Sequence, residues 1–164
     1  TMKYIFVAFI AFFIAITDSL SAREFYVGGF FGADNASYVG METADYESFL
    51  SYSSSTFDAD ASTLNTSAIS IGYLFKDKID DNFSFVYGGS FGLLTMQLGT
   101  TSYSGSSISI LTGVKYEFTD KLSCKLLISP FSTGELSTTE SGSPNVKVSN
   151  LFSTLFGISY KLPN

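Results

Sequence analysis

Between residues 83 and 94 the side chains alternate in size and polarity. One set is Phe83, Phe85, Tyr87, Gly89, Phe91 and Leu93; the other is Ser84, Val86, Gly88, Ser90, Gly92 and Leu94. A period of two puts each set on one face of an extended strand and is incompatible with a helix. The period recurs at 107–118, where Ile108, Ile110, Val114, Tyr116 and Phe118 oppose Ser107, Ser109, Gly113, Lys115 and Glu117. It recurs again at 24–33, 67–75, 122–129 and 146–162, so six strands are visible. Turn-forming stretches at 76–82 and 119–121 and polar stretches at 100–106 and 132–145 separate them. After residue 22 no apolar run is long enough to span a membrane as a helix, and three prolines leave long strands unbroken. The chain is all-β.

The face opposite the aromatics is dominated by Ser and Gly, which suit the interior of a narrow barrel. Phe25, Phe75, Phe83, Phe118 and Tyr160 fall near strand ends, where interfacial girdles form. The expected fold is a closed antiparallel up-and-down transmembrane β-barrel. A soluble sandwich or lipocalin-like barrel, with its aromatics inside, has the same period and is the competing reading. Closed bacterial barrels have an even number of strands and usually at least eight, so eight are expected. The missing two belong to 34–62, which is either one acidic loop or a hairpin pairing 37–43 with 46–52.

The N-terminus carries a secretory leader: Met2-Lys3, an apolar run over 4–16, and the small-residue site Leu20-Ser21-Ala22. Cleavage is expected between Ala22 and Arg23, giving a signal peptide over 1–22 and a barrel domain over 23–164. Export and transmembrane strands together place the chain in a bacterial outer membrane. Arg23 stands where a lipidated cysteine would be, and the lone Cys124 excludes an intramolecular disulfide framework. The net charge is −6, and no nucleic-acid partner is expected.

Phe25-Tyr26-Val27-Gly28-Gly29-Phe30-Phe31-Gly32, directly after the leader, resembles the first strand of the opacity-type surface proteins and of the wider group of small eight-stranded outer-membrane barrels. Gly157, Tyr160 and Leu162 resemble the C-terminal signal such proteins show to the barrel-assembly machinery, although Pro163-Asn164 follow here. The resemblance implies a surface antigen or adhesin, outer-membrane lipid and lipopolysaccharide as surroundings, and long loops outside the cell. Adhesins that grip sulfated glycans would carry basic loops. The stretch 34–60 instead holds Asp34, Glu42, Asp45, Glu47, Asp58 and Asp60 with no Lys or Arg. These six are the candidate surface-loop recognition residues, suited to a basic partner on a host cell or in the envelope.

The chain contains no histidine, the common general base near neutral pH. Hydrolase, acyltransferase and protease chemistry is therefore not expected, nor is a metal or other cofactor. One interior constellation stands out: Lys115, Glu117 and Lys125 fall on the inward face of a tight hairpin. With Phe118 paired to Leu122, Lys115 faces Lys125, and Glu117 lies diagonally from Lys125. This lumen cluster reads as a plug, since side chains just fill an eight-stranded barrel. The functional expectation is an outer-membrane surface protein, adhesive, antigenic or envelope-structural. The alternatives are a narrow channel, or a soluble exported barrel holding a small apolar ligand.

Overall fold

The structure, a computed structural model, describes residues 23–32, 35–59, 62–139, 142, 144–150 and 153–163. The expected leader over 1–22, Ala22 included, lies outside the described residues. The strands are β1 (Glu24–Gly32), β2 (Ala36–Glu42), β3 (Tyr46–Ala59), β4 (Ser62–Lys78), β5 (Phe83–Leu98), β6 (Thr101–Glu117), β7 (Leu122–Ser137), β8 (Val146–Asn150) and β9 (Ser153–Lys161). All neighbours pair antiparallel, and β9 pairs with β1, which closes the sheet. β8 and β9 pair with the two halves of β7 in one continuous register, from Leu136↔Val146 to Leu122↔Tyr160. They count as one strand of the wall, and the barrel is eight-stranded.

The two strands not plain from sequence are β2 and β3. Of the stretch 34–62, the described residues 35–59 are not an acidic loop but a hairpin, registered from Ala36↔Ser53 to Glu42↔Glu47. The polar stretches 100–106 and 132–145 are also mostly strand. β6 begins at Thr101 after a two-residue turn, and β7 runs to Ser137. Serine and threonine there occupy exposed outward positions of a sheet that continues past the apolar zone, so polarity marks solvent rather than a loop. Pro130 sits where the β6–β7 register shifts, between Ile110 and Thr112. Proline donates nothing to a ladder, and a bulge accommodates it.

The molecule is apolar on the outside. Among the described residues 25 large apolar side chains are exposed and ten are buried. That ratio inverts a water-soluble protein's and excludes the soluble reading. Phe85, Phe91, Ile110 and Phe156 point out, while Ser84 and Gly157 are buried and Ser90 and Ser109 half-buried. At the end bearing the 43–45, 79–82 and 118–121 turns, outward rings form a chain. Tyr46–Tyr73, Tyr73–Phe75, Phe75–Tyr87 and Tyr87–Phe85 centroids are 5.0–5.8 Å apart. This is an aromatic girdle at one membrane interface. We call this the lower end.

The wall has unequal height. β1 and β2 stop at Gly32 and Ala36, whereas β4, β5, β6 and β7 have 16 or 17 residues. A tilted strand needs about 9–11 residues to cross the bilayer core. The tall strands therefore continue roughly five or six residues above it.

Candidate functional site

The lumen is layered. Parity on β2, β3, β6, β7 and β9 sends Glu42, Glu47, Lys115, Lys125 and Lys161 inward at the lower end. Lys125 Nζ donates to Glu47 Oε1 at 2.5 Å, with both side chains fully buried. Lys115 Nζ donates to Glu42 Oε2 and lies 3.8 Å from Glu47 Oε2 and 3.2 Å from Glu117 Oε1. Lys161 Nζ bridges Glu24 Oε2 and Glu42 Oε1, each at 2.8 Å. Lys76 adds a fourth positive charge within electrostatic reach of Glu42, Glu47 and Glu117. Four carboxylates thus face four ammonium groups. Charges this deep are tolerable only when each is paired.

Directly above lies a layer of rings and branched side chains: Tyr26, Phe30, Tyr38 and Phe49 with Leu74, Val86, Leu111 and Leu127, all buried. Phe30 stacks on Tyr38 with centroids 4.3 Å apart. Tyr26 Oη donates to the Ser48 carbonyl and Tyr38 Oη to the Ile158 carbonyl, both at 3.2 Å, so the phenols are satisfied as they cross the barrel. Lys125 Nζ lies 4.7 and 5.1 Å from the Tyr26 and Tyr38 ring centroids, which gives the ammonium a second stabilising contact. Inward glycines make room for the rings. A Cβ on Gly72 would come within 2.1 Å of Phe49 Cζ, and one on Gly40 within 2.5 Å of Tyr26 Cζ.

The expected pairing of Lys115 opposite Lys125 is present, but the carboxylate between them is Glu47. Glu117 instead contacts Lys115 and, at 3.8 Å, Lys161. It stands at the lower rim opposite Ser123, one register step short of reaching Lys125. Glu42 and Glu47 are not surface-loop residues. The β2–β3 hairpin turns at 43–45, so its acids fall inside the lower end, 4% and 0% exposed. Asp45 occupies that lower turn, away from the tall end. Asp34 and Asp60 lie outside the described residues; Asp58 falls in β3. Gly157 packs inward, a Cβ there meeting the Phe30 ring at 2.9 Å, whereas Tyr160 and Leu162 point outward. Arg23 leads directly into β1.

Sequence reasoning missed Glu24 and Lys161, which staple the closing β1–β9 seam. The inward parity of Gly157 and Ser159 extends to Lys161, and that of Tyr26 back to Glu24, so the signal was present. Once 46–52 is a strand, Glu47 shares a face with Phe49.

Above the ring layer the barrel is hollow. A cavity of about 210 Å³ is bounded below by Phe30, Phe49, Leu111 and Leu127; nine of its 17 lining residues are serine and none is charged.

A closed antiparallel eight-stranded barrel, apolar outside, girdled, and plugged at one end, is the architecture of the small outer-membrane β-barrels. Two solved structures match it over nearly their whole length. Neisserial surface protein A is 12% identical, with a TM-score of 0.61, covering 85% of this chain and 94% of that one. Outer membrane protein H (OprH) from P. aeruginosa is 9% identical, with a TM-score of 0.54, covering 87% and 100%. No protein-family profile matches the chain, and no curated protein does.

Proposed function

We propose that this protein is a resident of the bacterial outer membrane that works by what it presents at the surface, as an adhesin or surface antigen, rather than by conduction or catalysis. One observation carries the reading. The lumen is sealed across its lower half by two stacked buried layers, one ionic and one aromatic, while β3 to β7 rise above the apolar zone at the other end. A sealed barrel has no path for solute, and the absence of histidine leaves no ready general base. What remains to act is the tall sheet, with outward Thr56, Thr95, Gln97, Ser102, Ser104 and Ser106.

Recognition by scaffold-borne polar groups fits this geometry. The lower end, with both described termini, faces the periplasm, and Tyr160 and Leu162 lie on the outer face where assembly machinery would read them. Attraction of a basic partner is weaker than six acids in an outer loop would give, because Glu42, Glu47 and Asp45 belong to the lower end. The test shortens the β5–β6 hairpin by deleting 95–104, with folding checked by the mobility shift on boiling. Loss of cell-surface binding with retained folding is expected. Unchanged binding, or single-channel steps from the intact protein in planar bilayers, would sink the proposal.

A further inference from the structure

The serine-lined hollow is a blind cup, and its chemistry is specific. Its floor is apolar, and its walls carry the hydroxyls of Ser51, Ser53, Ser70, Ser90, Ser107 and Ser153, none of which hydrogen-bonds another described protein group. Among the wall serines, Ser109 and Ser132 bond each other at 2.9 Å and Ser129 bonds the Phe131 carbonyl. Each remaining hydroxyl is at once a free donor and a free acceptor. With no charged lining residue, an ion entering would lose hydration without compensation. A purely apolar guest would strand the hydroxyls.

The mouth of the cup lies at the upper end on the short side of the wall, where β1 and β2 stop, and Ala36, Ser53, Ser153 and Leu155 belong both to that edge and to the cup. That upper edge is level with Phe31, the last outward apolar side chain of β1. On neighbouring strands the outward residues above that zone are Ser54, Thr56, Thr95, Ser106 and Thr133, all exposed. The cup therefore opens into the polar zone above the hydrocarbon and not sideways into acyl chains.

From this geometry we infer that the cup is a binding site for a small neutral polyol with one apolar face, of the size of a single sugar ring. The apolar face lies on Phe30, Phe49, Leu111 and Leu127, and the hydroxyls bond the wall serines. A volume below the roughly 300–1,000 Å³ of drug-sized pockets limits the guest to one ring. The site is independent of any adhesive role of the tall sheet.

The experiment refolds the full mature chain into zwitterionic micelles and follows its amide NMR signals during separate titrations with glucose, glycerol and decanoate. A combined Ser70→Ala, Ser90→Ala, Ser107→Ala variant keeps the shape of the cup and removes three hydroxyls. Saturable glucose shifts confined to the cup strands, weakened at least tenfold in the triple variant, are expected. Shifts that never saturate mean that the cup holds only water and overturn the inference. So does equal binding by the triple variant, or uptake of decanoate in preference to glucose. Should the triple variant fail to show the mobility shift on boiling, Ser90→Leu, which fills the cup, must abolish the glucose shifts; binding that survives it also overturns the inference.

Discussion

The lower and upper halves of the lumen are built on the same wall, with the same strand parity, yet one is solid and the other hollow. In the lower half the inward positions carry Lys, Glu, Tyr and Phe, whose side chains reach across the barrel and meet. In the upper half nine serines and two alanines, which end one carbon or one hydroxyl from the wall, predominate around the cavity, with Leu94 and Leu155 the larger side chains on its walls. A closed strand count therefore does not decide whether a barrel is filled; side-chain reach does. It also separates two kinds of polar interior. Buried ion pairs must be matched one to one, whereas hydroxyls facing a cavity keep water or a guest as partners.

The largest test breaks the solid half. Glu47→Ala leaves Lys125 fully buried beside Lys115 with its closest carboxylate gone. A loss of about 3–5 kcal/mol is expected for an uncompensated buried charge, read by urea unfolding in vesicles. A loss below 1 kcal/mol would mean that water reaches the layer. Next, Phe91→Arg tests that the aromatics face lipid, on which the account of the interior depends. Its cost should be about 2–4 kcal/mol at midplane depth, and insertion as stable as the parent's would refute the orientation.

Gly72→Ala sharpens the boundary between the halves. Its Cβ would strike the Phe49 ring that floors the cup, so about 1–3 kcal/mol of overpacking is expected, and a ring displaced upward into the cup weakens the glucose shifts. The smallest effect belongs to Glu117→Gln. Glu117 contacts Lys115 as Glu42 does, but is 30% exposed at the lower rim. Solvent screening limits the change to about 0.2–1 kcal/mol. Parity between Glu117→Gln and Glu47→Ala in the same unfolding assay would erase the distinction between rim and core on which the comparison rests.

The alternation at 83–94 and 107–118 was sufficient to read strands, because a period of two has one structural meaning. The outward face and the membrane class, which a soluble barrel's period shares, were legible only from the Ser and Gly of the opposite face and from aromatics near strand ends. The hairpin of β2 and β3 was harder. Its outward Ser48 and inward Gly40 and Ser51 blur the alternation, and its acids mimic a solvated loop. Charge alone cannot distinguish a carboxylate in water from one facing a lysine across a barrel. That Lys115 faces Lys125 followed from a tight turn and local register. That Glu47 lies between them did not, because β3 and β7 meet only through the lumen.

By itself, then, the sequence determined the local and periodic features: extended strands, one face apolar and the other rich in Ser and Gly, and tight lower turns. Each follows from neighbours one or two residues apart. Only the closed tertiary structure decided which carboxylates meet which lysines, that Glu24 and Lys161 staple the seam, and that the upper half is hollow. Those are contacts through the lumen or at the closing seam between residues far apart in the chain: 120 positions separate Tyr38 from Ile158, and Glu24 and Lys161 lie at opposite ends of the barrel's sequence. Their partners are set by barrel closure and strand register, quantities that no local stretch of sequence contains.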